Sequence, residues 1–157
     1  RKKSVYTPQF MLSGKDYRTY ANFNEDVNKL TSQKATVDLE LSAQILSGAG
    51  INEQLQLNLK TDISSSEIKE VGFYLVVIEN NLVSEVKDGE NDGKRLQHDY
   101  VVRQYLGPHF SKKSENLSEQ EYTVELASQW KRQDLSIIAF AENSHTGEVL
   151  QAVRLQY

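Results

Sequence analysis

The sequence contains no cysteine. That absence excludes a disulfide framework, a thiolate zinc site and any thiol nucleophile within the chain. Proline is nearly absent too, at two residues, so breaks between elements must come from glycine, asparagine, aspartate and serine. Long apolar runs are missing. The longest, Val71–Ile78 (VGFYLVVI), has the length of a strand and falls far short of the ~20 residues that span a bilayer. The opening Arg1-Lys2-Lys3 is not followed by a signal-peptide apolar segment, so a removed upstream piece is expected.

Charge of either sign is also in small excess. Eighteen Lys and Arg stand against 22 Asp and Glu, for a net charge of −4. No basic surplus exists to neutralise phosphates, so nucleic acid is not an expected partner. At 157 residues the chain suits one domain, or one domain with a small appendage. A chain of this size buries roughly 68–70% of its unfolded surface, so it needs no covalent staple.

What is present changes character near residue 35. Before it, Val5–Leu12 reads as a short strand entered through Pro8, and Ser13-Gly14-Lys15-Asp16 supplies a turn. Phe23, Val27 and Leu30 then fall at i, i+4, i+7, one face of a helix over 22–34 that Asn22 or Asn24 could cap. From Ala35 the period becomes two. Val37, Leu39, Leu41 and Ile45 alternate with polar residues, as do Leu55, Leu57 and Leu59, which predicts a hairpin with one buried face. Val71–Glu79 reads as a central strand, with Asn80-Asn81 turning the chain into Leu82–Lys87. Ser111–Gln120 reads as a charged surface loop, followed by strands at Glu121–Trp130, Leu135–Glu142 and Glu148–Leu155. The expected fold is mainly β, an antiparallel sandwich preceded by a hairpin and one helix.

Chemistry is sparse. The three histidines, His98, His109 and His145, are not at metal-ligand spacing, so no metal or other cofactor is expected. His98-Asp99 tempts a hydrolase reading, but adjacent strand residues face opposite ways, and no G-x-S-x-G elbow occurs. The loop Asp88-Gly89-Glu90-Asn91-Asp92-Gly93 offers oxygen ligands without the calcium-loop pattern, and two carboxylates with an amide are few for calcium. Gly89, Glu90, Asn91 and Gly93 therefore read as a tight structural loop. Arg103 follows Val101-Val102 in an apolar strand and needs a carboxylate, for which Glu90 is the candidate. Asn116-Leu117-Ser118 matches a glycosylation sequon, a motif short enough to recur by chance.

Two segments together carry a family resemblance. Val5-Tyr6-Thr7-Pro8-Gln9 with Gly14-Lys15 resembles the proline-loop strand and turn of thioredoxin-like proteins. Gly89–Leu96 running into Val101-Val102-Arg103, with the closing stretch Ser144–Leu155, resembles an uncharacterised family of exported bacterial proteins. Its members join a thioredoxin-like lobe with paired cysteines to a β-sandwich lobe. The resemblance implies that residues 1–34 are the second half of the redox lobe and 35–157 the sandwich. Thr7 and Pro8 would then hold the cis-proline position beside the redox pair. The chain departs from the family at Tyr20-Ala21-Asn22, where a glycine commonly precedes the helix.

The expected role is an accessory or recognition sandwich of a periplasmic or secreted thioredoxin-like protein, with another exported protein as partner. The chain itself is not expected to be an enzyme, although the parent could be a thiol–disulfide oxidoreductase. The rival is a self-contained binding or adhesion module with no redox role.

Overall fold

A computed structural model describes residues 6, 8–47, 53–112 and 117–157. Strands β1 (Phe10–Leu12) and β2 (Lys15–Tyr17) form an antiparallel hairpin closed by Ser13 and Gly14. Both turn residues have positive φ, at 50° and 78°, the geometry that a two-residue hairpin turn with matching twist requires. A single 3₁₀ turn, Tyr20–Asn22, leads into α1 (Phe23–Thr31). Asn22 holds the cap position, although its side chain makes no capping bond. Glu25 and Asp26 in the first turn offset the positive end of the helix dipole instead. Phe23, Val27 and Leu30 share the half-buried face that their spacing predicts.

The alternation after Ala35 becomes a sheet. β3 (Val37–Leu46) pairs antiparallel with β4 (Gln54–Ile63), from Val37 opposite Ile63 to Leu46 opposite Gln54. The remaining strands are β5 (Glu70–Glu79), β6 (Leu82–Glu85), β7 (Arg95–His98), β8 (Val101–Lys112), β9 (Leu117–Glu125), β10 (Leu135–Asn143) and β11 (Val149–Gln156). They assemble as one sheet in the order β11-β10-β5-β8 and another in the order β3-β4-β9. The two pack face to face as a sandwich, with β3 lying against β11. Leu55, Leu57 and Leu59 from one sheet meet Phe73, Leu75, Val77 and Ile137 from the other, all at most 1% exposed. β5 is buried on both faces, which is why its sequence is a nearly continuous apolar run rather than an alternation.

Four expectations need correction. Asn80-Asn81 does turn the chain, with Asn81 at φ 56°, but β6 leaves the sheet and pairs with β7. Ile45 is 48% exposed, bordering an open cleft with Ile137, Leu155 and Tyr157 at the rim of the sandwich, while Val37, Leu39 and Leu41 stay inward. Most of Ser111–Gln120 is strand, divided between β8 and β9 around residues 113–116, which lie outside the described residues together with the sequon asparagine. The strand expected at Glu121–Trp130 ends at Glu125. Beyond it, Arg132 gathers the carbonyl oxygens of Leu126, Ala127 and Trp130 and closes the chain into a loop.

The two outer faces of the sandwich differ in kind. On β3-β4-β9 the outward residues include Asp38, Glu40, Asp62, Glu119, Glu121 and Glu125, against Lys60 alone in the same rows. On β11-β10-β5-β8 they include Tyr74, Val102, Tyr105, Phe110 and Phe140.

Candidate functional site

The Gly89–Gly93 segment is the tip of the β6–β7 hairpin. Val86 and Lys94 close it through Val86 N–H to the Lys94 carbonyl at 2.9 Å and Gly93 N–H to the Val86 carbonyl at 2.9 Å. Inside it, Asp92 N–H donates to the Gly89 carbonyl at 3.1 Å, and Lys94 Nζ donates to Asn91 Oδ1 at 2.8 Å. Gly89 and Gly93 have φ of 82° and 76°, which explains glycine at both ends of so tight a turn. Glu90 is exposed there. It does not meet Arg103, whose Nε donates to Glu79 Oε2 at 2.6 Å.

Glu79 is the carboxylate that the sequence reading missed. It is fully buried at the inner end of β5, and its second oxygen accepts from Lys131 N–H at 3.0 Å. The signal was parity, since residue 79 continues the inward series 71, 73, 75 and 77. Arg103 reaches it because β8 bulges between the pairs Val77–Gln104 and Ile78–Val102. Both charges have partners, so the pair organises the fold and offers no group to a substrate.

Histidine chemistry is equally thin. Ser84 Oγ lies 2.7 Å from His98 Nε2 on the β6–β7 hairpin, a nucleophile-and-base pair at its simplest. The neighbouring Asp99 does not orient that histidine; its carboxylate accepts from Asn81 N–H at 2.9 Å. Among the described residues no group of three or more His, Asp and Glu could hold a metal ion.

Thr7 lies outside the described residues, and the expected Thr7-Pro8 geometry with it; Pro8 is an exposed bend. The cis X-Pro bond in the described residues is Gly107-Pro108, in β8. Beyond Pro8, the hairpin is tied together by Asp16, which accepts from Tyr6, Gln9 and Arg18. Those hydrogen bonds, that from Tyr6 foremost, hold the Asp16 carboxyl below the usual range. Burial and a 2.9 Å bond to Asp26 push the Tyr17 phenol up to about 12.

This small unit docks on the sandwich at one point. Ser13 Oγ donates to the Val149 carbonyl at 2.8 Å, and Val149 N–H donates to the Ser13 carbonyl at 3.2 Å. Lys15 and Glu148 add an ion pair at 3.2 Å. A Cβ on Gly14 would collide with the Gly147 carbonyl oxygen, so only glycine allows the approach. Beside the contact, Leu30, Lys34, Glu67, Ile68 and Leu150 border a cleft of about 490 Å³. Away from the sandwich, Phe10 packs on Tyr20 and Phe23 with ring centroids 5.2 and 6.1 Å apart. Phe10, Met11 and Tyr20 nevertheless remain 45%, 55% and 51% exposed.

Residues 1–142 match the family described as "Protein of unknown function (DUF1223)". No curated protein sequence matches the chain. Among solved structures, HBP35 of Porphyromonas gingivalis is similar, with a TM-score of 0.62 at 14% identity. The likeness covers 87% of this chain and 45% of that one, so the chain spans less than half of that protein. A domain of the outer membrane lipoprotein Omp28 from Porphyromonas gingivalis is similar over 78% of this chain and 88% of its own, with a TM-score of 0.55 at 15% identity. At these identities the likeness is one of fold.

Proposed function

The chain belongs to the DUF1223 family of unknown function, and from that premise we propose that it is the accessory and recognition part of an exported thioredoxin-like protein. Residues 1–34 are then the second half of a thioredoxin-like lobe, and residues 35–157 its sandwich. The carrying observation is the aromatic face of the hairpin and helix. Phe10 and Tyr20, in ring contact on neighbouring elements, expose about half their surface each, and Met11 does the same on the opposite face of the hairpin, as a fragment of a lobe would before its other elements are added. The Ser13–Val149 contact supports the same reading, since it anchors that lobe to the sandwich through backbone atoms. Export finds support in the shared fold with a domain of an outer membrane lipoprotein. The chain has no thiol, so redox chemistry would reside in paired cysteines of the preceding segment, with Thr7 and Pro8 beside them. The sandwich would then position a client, another exported protein, against that lobe.

The test is thiol–disulfide exchange by the protein read from its native start codon. Exchange that vanishes when either preceding cysteine becomes serine, and weakens in Phe10→Ser with Tyr20→Ser, is the expected result. A native protein without paired cysteines overturns the reading and leaves a self-contained binding module.

A further inference from the structure

We infer that the outer face of the β11-β10-β5-β8 sheet is a self-association surface, covered by the same face of a second copy of the chain. The hairpin docks at the edge of this sheet, at Val149 opposite Glu142, and the inference does not rest on a redox role. Val102, Tyr105 and Phe110 stand on the outward side of β8 and are 57%, 53% and 50% exposed. Tyr74 and Phe140 continue the patch onto β5 and β10, stacked at 4.8 Å with an interplanar angle of 12°. Tyr105 joins them at 5.6 Å from Tyr74. The chain makes room for this layer with glycine. A Cβ on Gly72 would press on the Phe110 and Tyr74 rings at 3.2 and 3.3 Å, whereas one on Gly107 would collide first with the Phe73 carbonyl oxygen at 2.6 Å and then approach the Tyr74 ring at 3.3 Å. Soluble sheets usually turn polar side chains to water on such a face. The opposite face of this same sandwich, rich in carboxylates, does so.

Charge selects the occupant. Arg154, opposite Ile138, and Glu142 lie on this face and flank Phe140, one toward each end of β10. Arg154 donates to Ser136 Oγ at 3.0 Å and lies over the Tyr100 ring, neutral contacts that leave its charge without a carboxylate among the described residues. A two-fold axis running across the strands near Phe140 exchanges the two ends, so each Arg154 meets the partner's Glu142. That is the reciprocal pairing an isologous interface needs. The same operation brings aromatic face to aromatic face and turns both carboxylate-rich faces outward, a sandwich thickness or more from the interface. Sheets stack ~10 Å apart, which is about the screening length at physiological salt, so the acid excess does not oppose the pairing.

Size sets the strength. Four strands about 4.8 Å apart and four outward rows about 6.8 Å apart give a footprint of roughly 500 Å² per copy. The total of roughly 1,000 Å² is at the lower bound for a specific interface, so association is reversible rather than obligate.

Sedimentation velocity of the chain over a wide concentration range tests this. The expected result is a rise in average mass from one chain toward two, with the midpoint moving to higher concentration in added salt. Arg154→Glu and Glu142→Arg each weaken association by about tenfold or more by facing like charges across the axis. The double variant, which restores opposite signs, recovers it. Tyr105→Ser with Phe110→Ser abolishes it, and circular dichroism confirms that these surface variants fold. A single-chain mass at every concentration overturns the inference. So does a dimer indifferent to both charge reversals, which would place the contact on another face.

Discussion

Arg103 Nε and Glu79 Oε2 are 2.6 Å apart at the inner end of the four-stranded sheet, where Glu79 has no exposed surface and Arg103 keeps 26% of its side chain in contact with water. The pair fastens three pieces of chain. Glu79 closes β5, Arg103 is the bulge residue of β8, and Lys131 N–H binds the same carboxylate from the loop before β10. Nearby, Asn80 N–H donates to the Asp134 carbonyl at 3.0 Å and extends the fastening to the end of that loop.

Removing Glu79 should therefore leave a half-buried guanidinium and a loop amide without an acceptor. Glu79→Ala is expected to cost about 3–5 kcal/mol, toward the lower figure because Arg103 retains some hydration. Glu90→Ala, on the exposed hairpin tip, should stay within about 0.5 kcal/mol of the parent. Urea unfolding of both variants checks the contrast, and equal losses would contradict it.

Glycines of the same backbone class should respond differently. Gly14 and Gly93 both have positive φ, at 78° and 76°. An alanine at 93 meets open space and carries only the conformational penalty, about 1 kcal/mol. An alanine at 14 meets the Gly147 carbonyl and must break the docking point. Hydrogen exchange at Val149 N–H, which donates to Ser13, should accelerate in Gly14→Ala and remain unchanged in Gly93→Ala.

Core truncations should follow the sandwich rather than hydrophobicity. Phe73 is fully buried between the sheets, and Phe73→Ala is expected to cost about 3–5 kcal/mol. Ile45→Ala removes a smaller, aliphatic group from a site 48% exposed and should cost less than about 1 kcal/mol. Thermal or denaturant melts of the two variants decide it.

Alkaline pH reports on the hairpin and helix. The folded state raises the Tyr17 phenol from 10.0 to about 12 by burial and by its bond to Asp26. The fold therefore favours the neutral phenol. Its contribution to stability is full below about pH 10 and is lost as pH rises toward about 12. Ring-carbon NMR should show Tyr17 ionising late, and Asp26→Asn should move that titration down. A Tyr17 that ionises with a free phenol would show the Asp26 contact to be absent in solution.

The parts of the fold legible in the sequence were those where one residue in two carries the message. Val37–Leu41 and Leu55–Leu59 alternate cleanly, and the β3–β4 hairpin follows directly. β9 was harder. Its inward residues begin Ser118, Gln120, Tyr122, so the period was present but written in polar side chains and resembled a loop. The partner of Arg103 was illegible for another reason. A bulge shifts the register of β8 by one, and no local pattern announces which carboxylate that shift brings within reach. The pairing of β6 with β7, likewise, depends on the loop between them closing on itself.

The docking of the hairpin on the sandwich has a consequence for how such sequences can drift. Its hydrogen bonds join a serine hydroxyl and main-chain groups to main-chain groups, and its steric condition is the lack of a side chain at residue 14. The Lys15–Glu148 pair is solvated on both sides and adds little. Selection acting on this junction therefore sees two small residues and a loop length, and is nearly blind to everything else. Homologues can exchange almost every other side chain around the joint while its geometry persists, so the joint would survive in structures whose sequences have ceased to look related.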